Sequence, residues 1–336
     1  MNKKAIVTGC PGQDASYLCE SLLGKGYEVY GVQRRCTREN NFMNFCESNS
    51  SFHSVTMDIC DASGVTDLVH SIQPDEYYNL AAMSHVGQSF KEPLTTVMTD
   101  GYAIAAVLEA IRQHSPKTKF YQASTSELYG KVEDGTILNE ESLFVPRSPY
   151  GAAKLYAHNM VNIYREAYGI FGCCGILFNH ESPRRGKEFV TRKITDGIAG
   201  IKLGLKDKLK MGNIDAVRDW GHARDYVEAM HLMLQQDTPD DFVIATGKTA
   251  TVKEAIQYVC GLADLDFDNV YEINEKYMRP AEVPYLCGDA SKAKKVLNWT
   301  TSYDWKSLLK EMYESDLETL SGVVYNTMDA SKERFF

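Results

Sequence analysis

The sequence of 336 residues predicts an α/β fold, a doubly wound parallel sheet with a smaller C-terminal lobe. Three observations carry this expectation. Short apolar runs alternate with longer helix-like stretches through the first half of the chain. A glycine turn, Gly9-Cys10-Pro11-Gly12, follows the first apolar run and opens the first helical stretch. After Asn179 the alternation gives way to mixed short strands and helices, with Pro280 and Pro284 breaking the pattern late.

Taken in order, Ala5–Thr8 reads as a strand, Ser16–Lys25 as an amphipathic helix, and Tyr27–Gln33 and His53–Met57 as strands. Ser63–Ile72 reads as a helix, Glu76–Leu80 as a strand and Thr95–His114 as a long helix. Phe120–Ala123 is a strand, Tyr150–Tyr168 a helix and Cys173–Phe178 another strand. Ligands of such a sheet sit at the carboxyl ends of its strands. The division expected is 1–179 for the sheet domain, with segments returning from the C-terminal half, and 180–321 mainly for a substrate-binding lobe. Residues 322–336 read as a polar, loosely held tail.

Composition narrows the function. Hydrophobic residues make up 44% and charged residues 24%, enough for a sizeable core. The net charge is -9, which argues against a nucleic-acid partner. No leader-like h-region opens the chain and no run approaches the ~20 apolar residues of a membrane span. The nine cysteines form no C-x-x-C pair and read as reduced thiols, so a cytoplasmic protein is expected. The eight histidines show no metal-ligand spacing, so no metal is expected.

The glycine turn carries the first chemical assignment. Gly9 and Gly12 permit a tight turn and close approach to a pyrophosphate, and the helix behind them, opening with Gln13 and Asp14, offers N–H groups and a partial positive charge. Ala15 stands where a third glycine is usual, a position that only has to allow close helix–strand packing. This is a dinucleotide-binding loop of Rossmann type. The second strand ends in Arg34-Arg35 rather than an acid, and paired guanidiniums suit a 2′-phosphate, so NADP is favoured over NAD. Asp58, with Ile59 beside it, follows the third strand where an adenine amino group would be met. Leu80, Ala81 and Ala82 supply small or apolar residues where a cofactor would pass the backbone.

Tyr150 and Lys154 are four apart, hence on one helix face. A lysine ammonium and a cationic nicotinamide ring would both favour a tyrosine phenolate able to take a hydroxyl proton. Thr125 after the fifth strand can bridge a sugar hydroxyl and Tyr150. Glu127 supplies a carboxylate able to remove a proton beside a ketone and protonate a departing hydroxyl.

With these residues the chain resembles the GDP-mannose 4,6-dehydratases, from Ala5 to about Glu318. The most specific segments are the glycine loop with Gln13-Asp14, Arg34-Arg35, Phe120–Gly130, Arg147-Ser148-Pro149-Tyr150, Phe178–Gly186, Thr191–Ile194, Arg218–His222 and Arg279–Val283. The resemblance implies that Thr125, Glu127, Tyr150 and Lys154 form the catalytic group. It implies hydride transfer from C4 of mannose to NADP, loss of water across C5 and C6, and hydride return to C6. The cofactor is then regenerated each turnover and stays tightly bound. His180 and Arg185 match cofactor-contacting positions. Ser84, Ser126, Asn179, Val190, Lys193, Gly212, Arg218, Arg279 and Glu282 match positions that hold the GDP-sugar. A homodimer or homotetramer is implied as well. Met83 stands where the family usually has Gln, and Leu94 where Tyr is frequent. A dehydratase of a longer GDP-sugar, such as a GDP-manno-heptose, uses the same chemistry and differs only in the room around C6. A nucleotide-sugar 4-epimerase shares Tyr150 and Lys154 but has no use for Glu127.

Overall fold

The computed structural model describes residues 2–35, 43–278 and 281–332, with side chains as far as Gly322. Seven parallel strands form the main sheet. They are β1 (Lys4–Thr8), β2 (Glu28–Gln33), β3 (Phe52–Thr56), β4 (Glu76–Asn79), β5 (Lys119–Thr125), β6 (Gly172–Leu177) and, arriving later in the chain, β10 (Phe242–Ile244). Their spatial order is β10-β6-β5-β4-β1-β2-β3. The order reverses between β1 and β4, which pair directly through Ala5 and Glu76. Such a switch point leaves a crevice at the strands' carboxyl ends. β4 and β6 are buried at every residue, the signature of a parallel sheet covered on both faces.

On one face lie α1 (Gln13–Gly24) and α6 (Ala223–Leu234), packed with Leu18, Leu22, Tyr78, Tyr121 and Met230. On the other lie α2 (Ala62–Ile72), α3 (Pro93–His114) and α4 (Pro149–Tyr168), packed with Val65, Val69, Ile104, Leu108 and Ala157. The other helices of seven residues or more are α5 (Val190–Lys202), α7 (Val252–Ala263), α8 (Ser291–Leu297) and α9 (Trp305–Lys332). A second core joins Ile194 and Ile198 of α5, Ile256 and Val259 of α7, and Leu308 and Met312 of α9. It backs two small sheets. In one, β9 (Val217–His222) lies between β11 (Thr249–Thr251) and β7 (Asn179–Glu181); in the other, β8 (Leu209–Met211) pairs with β12 (Tyr271–Ile273).

The structure differs from the sequence reading at four places. α1 begins three residues early, at Gln13, because bare Gly12 caps it and a polar first turn hides the apolar period. β5 continues to Thr125, so Ala123, Ser124 and Thr125 belong to the strand and not to a loop after it. α3 begins at Pro93 and contains a π-helical turn, Met98–Tyr102, where a uniform helix was expected. It is also long and apolar enough to cross a membrane by composition, yet half of its apolar window is buried in the protein. The last helix continues through the expected loose tail to Lys332. Eight cysteines are free thiols, and Cys36 lies outside the described residues.

Candidate active site

The sheet's switch point opens into a cleft of about 850 Å³. Gly9 follows β1 with φ of +88°, and a Cβ there would stand 2.8 Å from the backbone nitrogen of Ala81. Only glycine fits. Thr8 fixes this approach, because its hydroxyl oxygen accepts from the N–H groups of Leu80 and Ala81, both at 3.1 Å. Gly12 then donates its N–H to the carbonyl of Gly9 at 2.7 Å and opens α1 without a side-chain cap. The first N–H groups of α1 are therefore directed at the cleft, an arrangement that favours an anion.

The catalytic residues expected from sequence converge on this cleft. Thr125, Glu127, Tyr150 and Lys154 all line it and all are buried. Ser148 caps α4 by accepting from the N–H of Gly151 at 3.0 Å, and Pro149 follows, so Tyr150 enters in a fixed orientation. Thr125 is placed to favour the ionised form of the Tyr150 phenol. Lys154, only 2% exposed, donates to the carbonyl of Ala123 at 3.1 Å. Glu127 follows in a 3₁₀ turn, its N–H bonded to the Thr125 hydroxyl at 3.2 Å.

The electrostatics of the protein alone act against the Tyr150 phenolate. Burial, and then the charge of Asp100, hold the Tyr150 phenol well above its ordinary range. Burial lowers the Lys154 ammonium, with Asp100 and Asp14 opposing it. The protein alone therefore favours Tyr150 as the phenol, because desolvation and Asp100 outweigh Thr125 and Arg185. Asp100 is a residue the sequence reading missed. It sits fully buried in the π turn of α3. One carboxylate oxygen accepts from the N–H of Met83 at 2.8 Å, and Oδ2 has no hydrogen-bond partner among the described residues. Burial raises its acid, and Lys154 opposes the rise. An acid in the mostly apolar stretch 97–108 was the signal available in the sequence.

Beside the glycine loop, Asp14 and His180 form an ion pair at 2.8 Å. His180 Nδ1–H donates to the carbonyl of Phe178 at 2.8 Å, and Nε2 faces the carboxylate, so both ring nitrogens are donors and the ring is an imidazolium. Burial opposes the charge on each partner, and the pairing overcomes it: Asp14 is lowered and His180 raised. Gln13 completes the join, donating to the His180 carbonyl at 3.1 Å and accepting from the Ser182 hydroxyl at 2.8 Å. Arg185 is 3.0 Å from Glu181 and lies over the Phe189 ring.

Ser84, Ser126, Asn179, Val190, Lys193, Gly212, Arg218 and Glu282 also line the cleft. Arg218 and Glu282, both at expected GDP-sugar positions, pair with each other at 3.1 Å. Lys193 lies 3.3 Å above the Tyr277 ring, and burial lowers its ammonium. Tyr277, Asn213 and Phe189 also line the cleft and were not foreseen. Leu80 and Ala82 reach it, whereas Ala81 contributes its backbone to the close approach at Gly9. Arg34, Arg35 and Asp58 are exposed at the ends of β2 and β3, and the Ile59 side chain is in the core. Arg279 lies outside the described residues.

A seven-stranded parallel sheet, a glycine loop at its switch point and a Thr-Tyr-Lys group define a dinucleotide-binding enzyme of the extended short-chain dehydrogenase/reductase class. Solved structures share the whole architecture. A UDP-glucose 4-epimerase from Thermotoga maritima aligns with a TM-score of 0.84 at 24% identity, over 94% of this chain and 99% of that one. A dTDP-glucose 4,6-dehydratase from Bacillus anthracis, solved with NAD, aligns with a TM-score of 0.82 at 20% identity, over 93% and 96%. The fold alone thus accommodates both chemistries. The family model described as GDP-mannose 4,6 dehydratase matches residues 6–312. A GDP-mannose 4,6-dehydratase of Vibrio cholerae is 46% identical over 95% of both chains. GDP-mannose 4,6 dehydratase 2 of Arabidopsis thaliana is 48% identical over 94% of this chain and 87% of its own. The chain belongs to the GDP-mannose 4,6-dehydratase family.

Proposed function

We propose that this protein converts GDP-mannose to GDP-4-keto-6-deoxymannose and water. The observation that carries the reading is Glu127, a buried carboxylate on the wall that also holds Thr125, Tyr150 and Lys154. An epimerase has no task for it. A nicotinamide dinucleotide fits the bare start of α1 and the glycine approach to Ala81. It supplies a hydride acceptor that is restored within one turnover, together with a cationic ring. Arg34 and Arg35, exposed at the end of β2, favour NADP. Gly9, Gly12 and the first turn of α1 hold its diphosphate.

Tyr150, a phenol in the protein alone, would release its proton to solvent once positive charge stands beside it, and the phenolate then takes the C4 hydroxyl proton. Thr125 aligns that hydroxyl. Glu127 removes the C5 proton and delivers one to the departing C6 hydroxyl. Asn179, Lys193, Arg218 and Glu282 recognise the GDP portion, with residues 180–321 supplying most of that lobe and residues 1–179 the cofactor domain. Exposed Leu94, Met98 and Tyr102 of α3, beside Tyr156 and Ile163 of α4, form an apolar surface suited to a second copy of the chain, so we assign a homo-oligomer. A cytoplasmic location accords with the free thiols.

The test follows the sugar by NMR after mixing purified protein with GDP-mannose, with and without added NADP⁺. A C6 methyl signal with a 4-keto sugar is expected. Glu127→Gln should lower its formation by about 10²–10⁴-fold. Unchanged methyl formation in that variant would remove Glu127 from the chemistry, and a C4 epimer with no methyl signal from the wild-type protein would place it among the epimerases.

A further inference from the structure

The catalytic helix face does not end at Lys154. Tyr150, Lys154 and His158 are successively four apart on α4, so the three side chains share one stripe. All three are buried, His158 to 3% exposure. Two of them bond consecutive residues of β5: Lys154 donates to the Ala123 carbonyl at 3.1 Å and His158 Nδ1 lies 3.0 Å from the Ser124 hydroxyl, while Thr125, the next residue, lines the cleft with Tyr150. On its other side, His158 Nε2 faces Asp241 at 3.6 Å. Asp241 is itself fixed, accepting from Arg165 at 2.5 Å and from the N–H of Cys174 at 2.8 Å. The edge of the Phe144–His158 contact closes the ring in.

We propose that His158 is a positioning residue that sets the register of the Tyr150–Lys154 face against the end of β5, acting as a neutral imidazole with its proton on Nε2. In that tautomer Nε2–H points to the Asp241 carboxylate and the Nδ1 lone pair accepts from the Ser124 hydroxyl. Burial, with Arg165, disfavours the charged ring more than Asp241 favours it. A cation here would stand one helical turn from the Lys154 ammonium, whose charge burial already opposes. His158, Cys174 and Asp241 also have spacing compatible with a metal ion. The guanidinium of Arg165 on the same carboxylate, and burial that holds the Cys174 thiol well above its ordinary value, oppose a divalent cation.

The proposal rests on the Tyr150–Lys154 chemistry above, and its first test does not need activity. Histidine-selective ¹⁵N NMR of the wild-type protein at neutral pH should find His158 as the neutral Nε2–H tautomer. The Nδ1–H tautomer, an imidazolium, or stoichiometric zinc in the purified protein would each overturn it. The second test compares variants in the dehydratase assay. His158→Leu removes the acceptor and should lower kcat by about 10²-fold, the scale of a small misplacement at a reacting centre, with KM and bound cofactor unchanged. His158→Asn places an oxygen acceptor near Nδ1 and should recover most of that loss. Equal losses in the two variants, a wild-type kcat in His158→Leu, or an effect confined to KM would sink the idea.

Discussion

Tyr150 shows how one residue's chemistry depends on its burial. Its hydroxyl needs to become a base, yet burial and Asp100 both favour the phenol. Asp100 does two opposing things. Its charge helps keep Lys154 protonated, and it makes Tyr150 harder to ionise. Asp100→Asn removes the second effect directly. The Tyr150 phenol should fall, so the acid-side limb of the pH–rate profile, where activity appears as the phenol ionises, should move to lower pH. A limb that stays in place would mean that Asp100 is screened from the ring. The sequence displayed Tyr150 and Lys154 plainly, because a four-residue spacing survives translation into a helix. Asp100 was hidden because its importance comes from contact with α4, forty and more residues later.

Elements decide how the cofactor end is held. α1 is short of side-chain capping, and its first turn is joined to β7 by the Asp14–His180 pair and the Gln13 bridge. The pair has a definite pH window. His180 is raised, so its contribution is complete below the ordinary value of 6.5 and is lost as pH rises through the folded value. Asp14 is lowered, so its contribution is present above the ordinary value of 3.8 and is lost as pH falls through the folded value. The join is therefore strongest between those two values. His180→Asn should lower the melting temperature of the cofactor-free protein most at about pH 5.5 and least at alkaline pH; an equal deficit at both would assign the loss to packing on Tyr226, which stacks on the ring at 4.6 Å. Sequence placed Asp14 and His180 at a cofactor site, and only the structure joined them to each other.

At the scale of the whole molecule, the sheet and the second core are interleaved along the chain. β10 returns to pair with β6 after residues 180–222 have built part of the other lobe. The cleft lies between these cores, so its two ends are held by segments far apart in sequence. The outer surface carries its own consequence. Leu94 is 81% exposed, and with Met98 and Tyr102 it marks one side of α3. If the proposed homo-oligomer uses this surface, replacing Leu94 and Met98 by Glu should give monomers in light scattering while leaving the fold intact by circular dichroism. An unchanged mass would move the interface elsewhere.

The sequence by itself determined the alternation of strands and helices, the glycine turn, the Tyr150–Lys154 face and the Thr125–Glu127 segment. Each of these is a local pattern, set by side-chain period or by the backbone freedom of glycine. Tertiary structure decided the rest. It bonded Arg218 to Glu282, paired Asp14 with His180, and put a π turn where Asp100 meets the catalytic helix. It also made Tyr150 a phenol, because the free energy of a charge depends on the water and the charges around it, and a linear sequence specifies neither until the chain has folded.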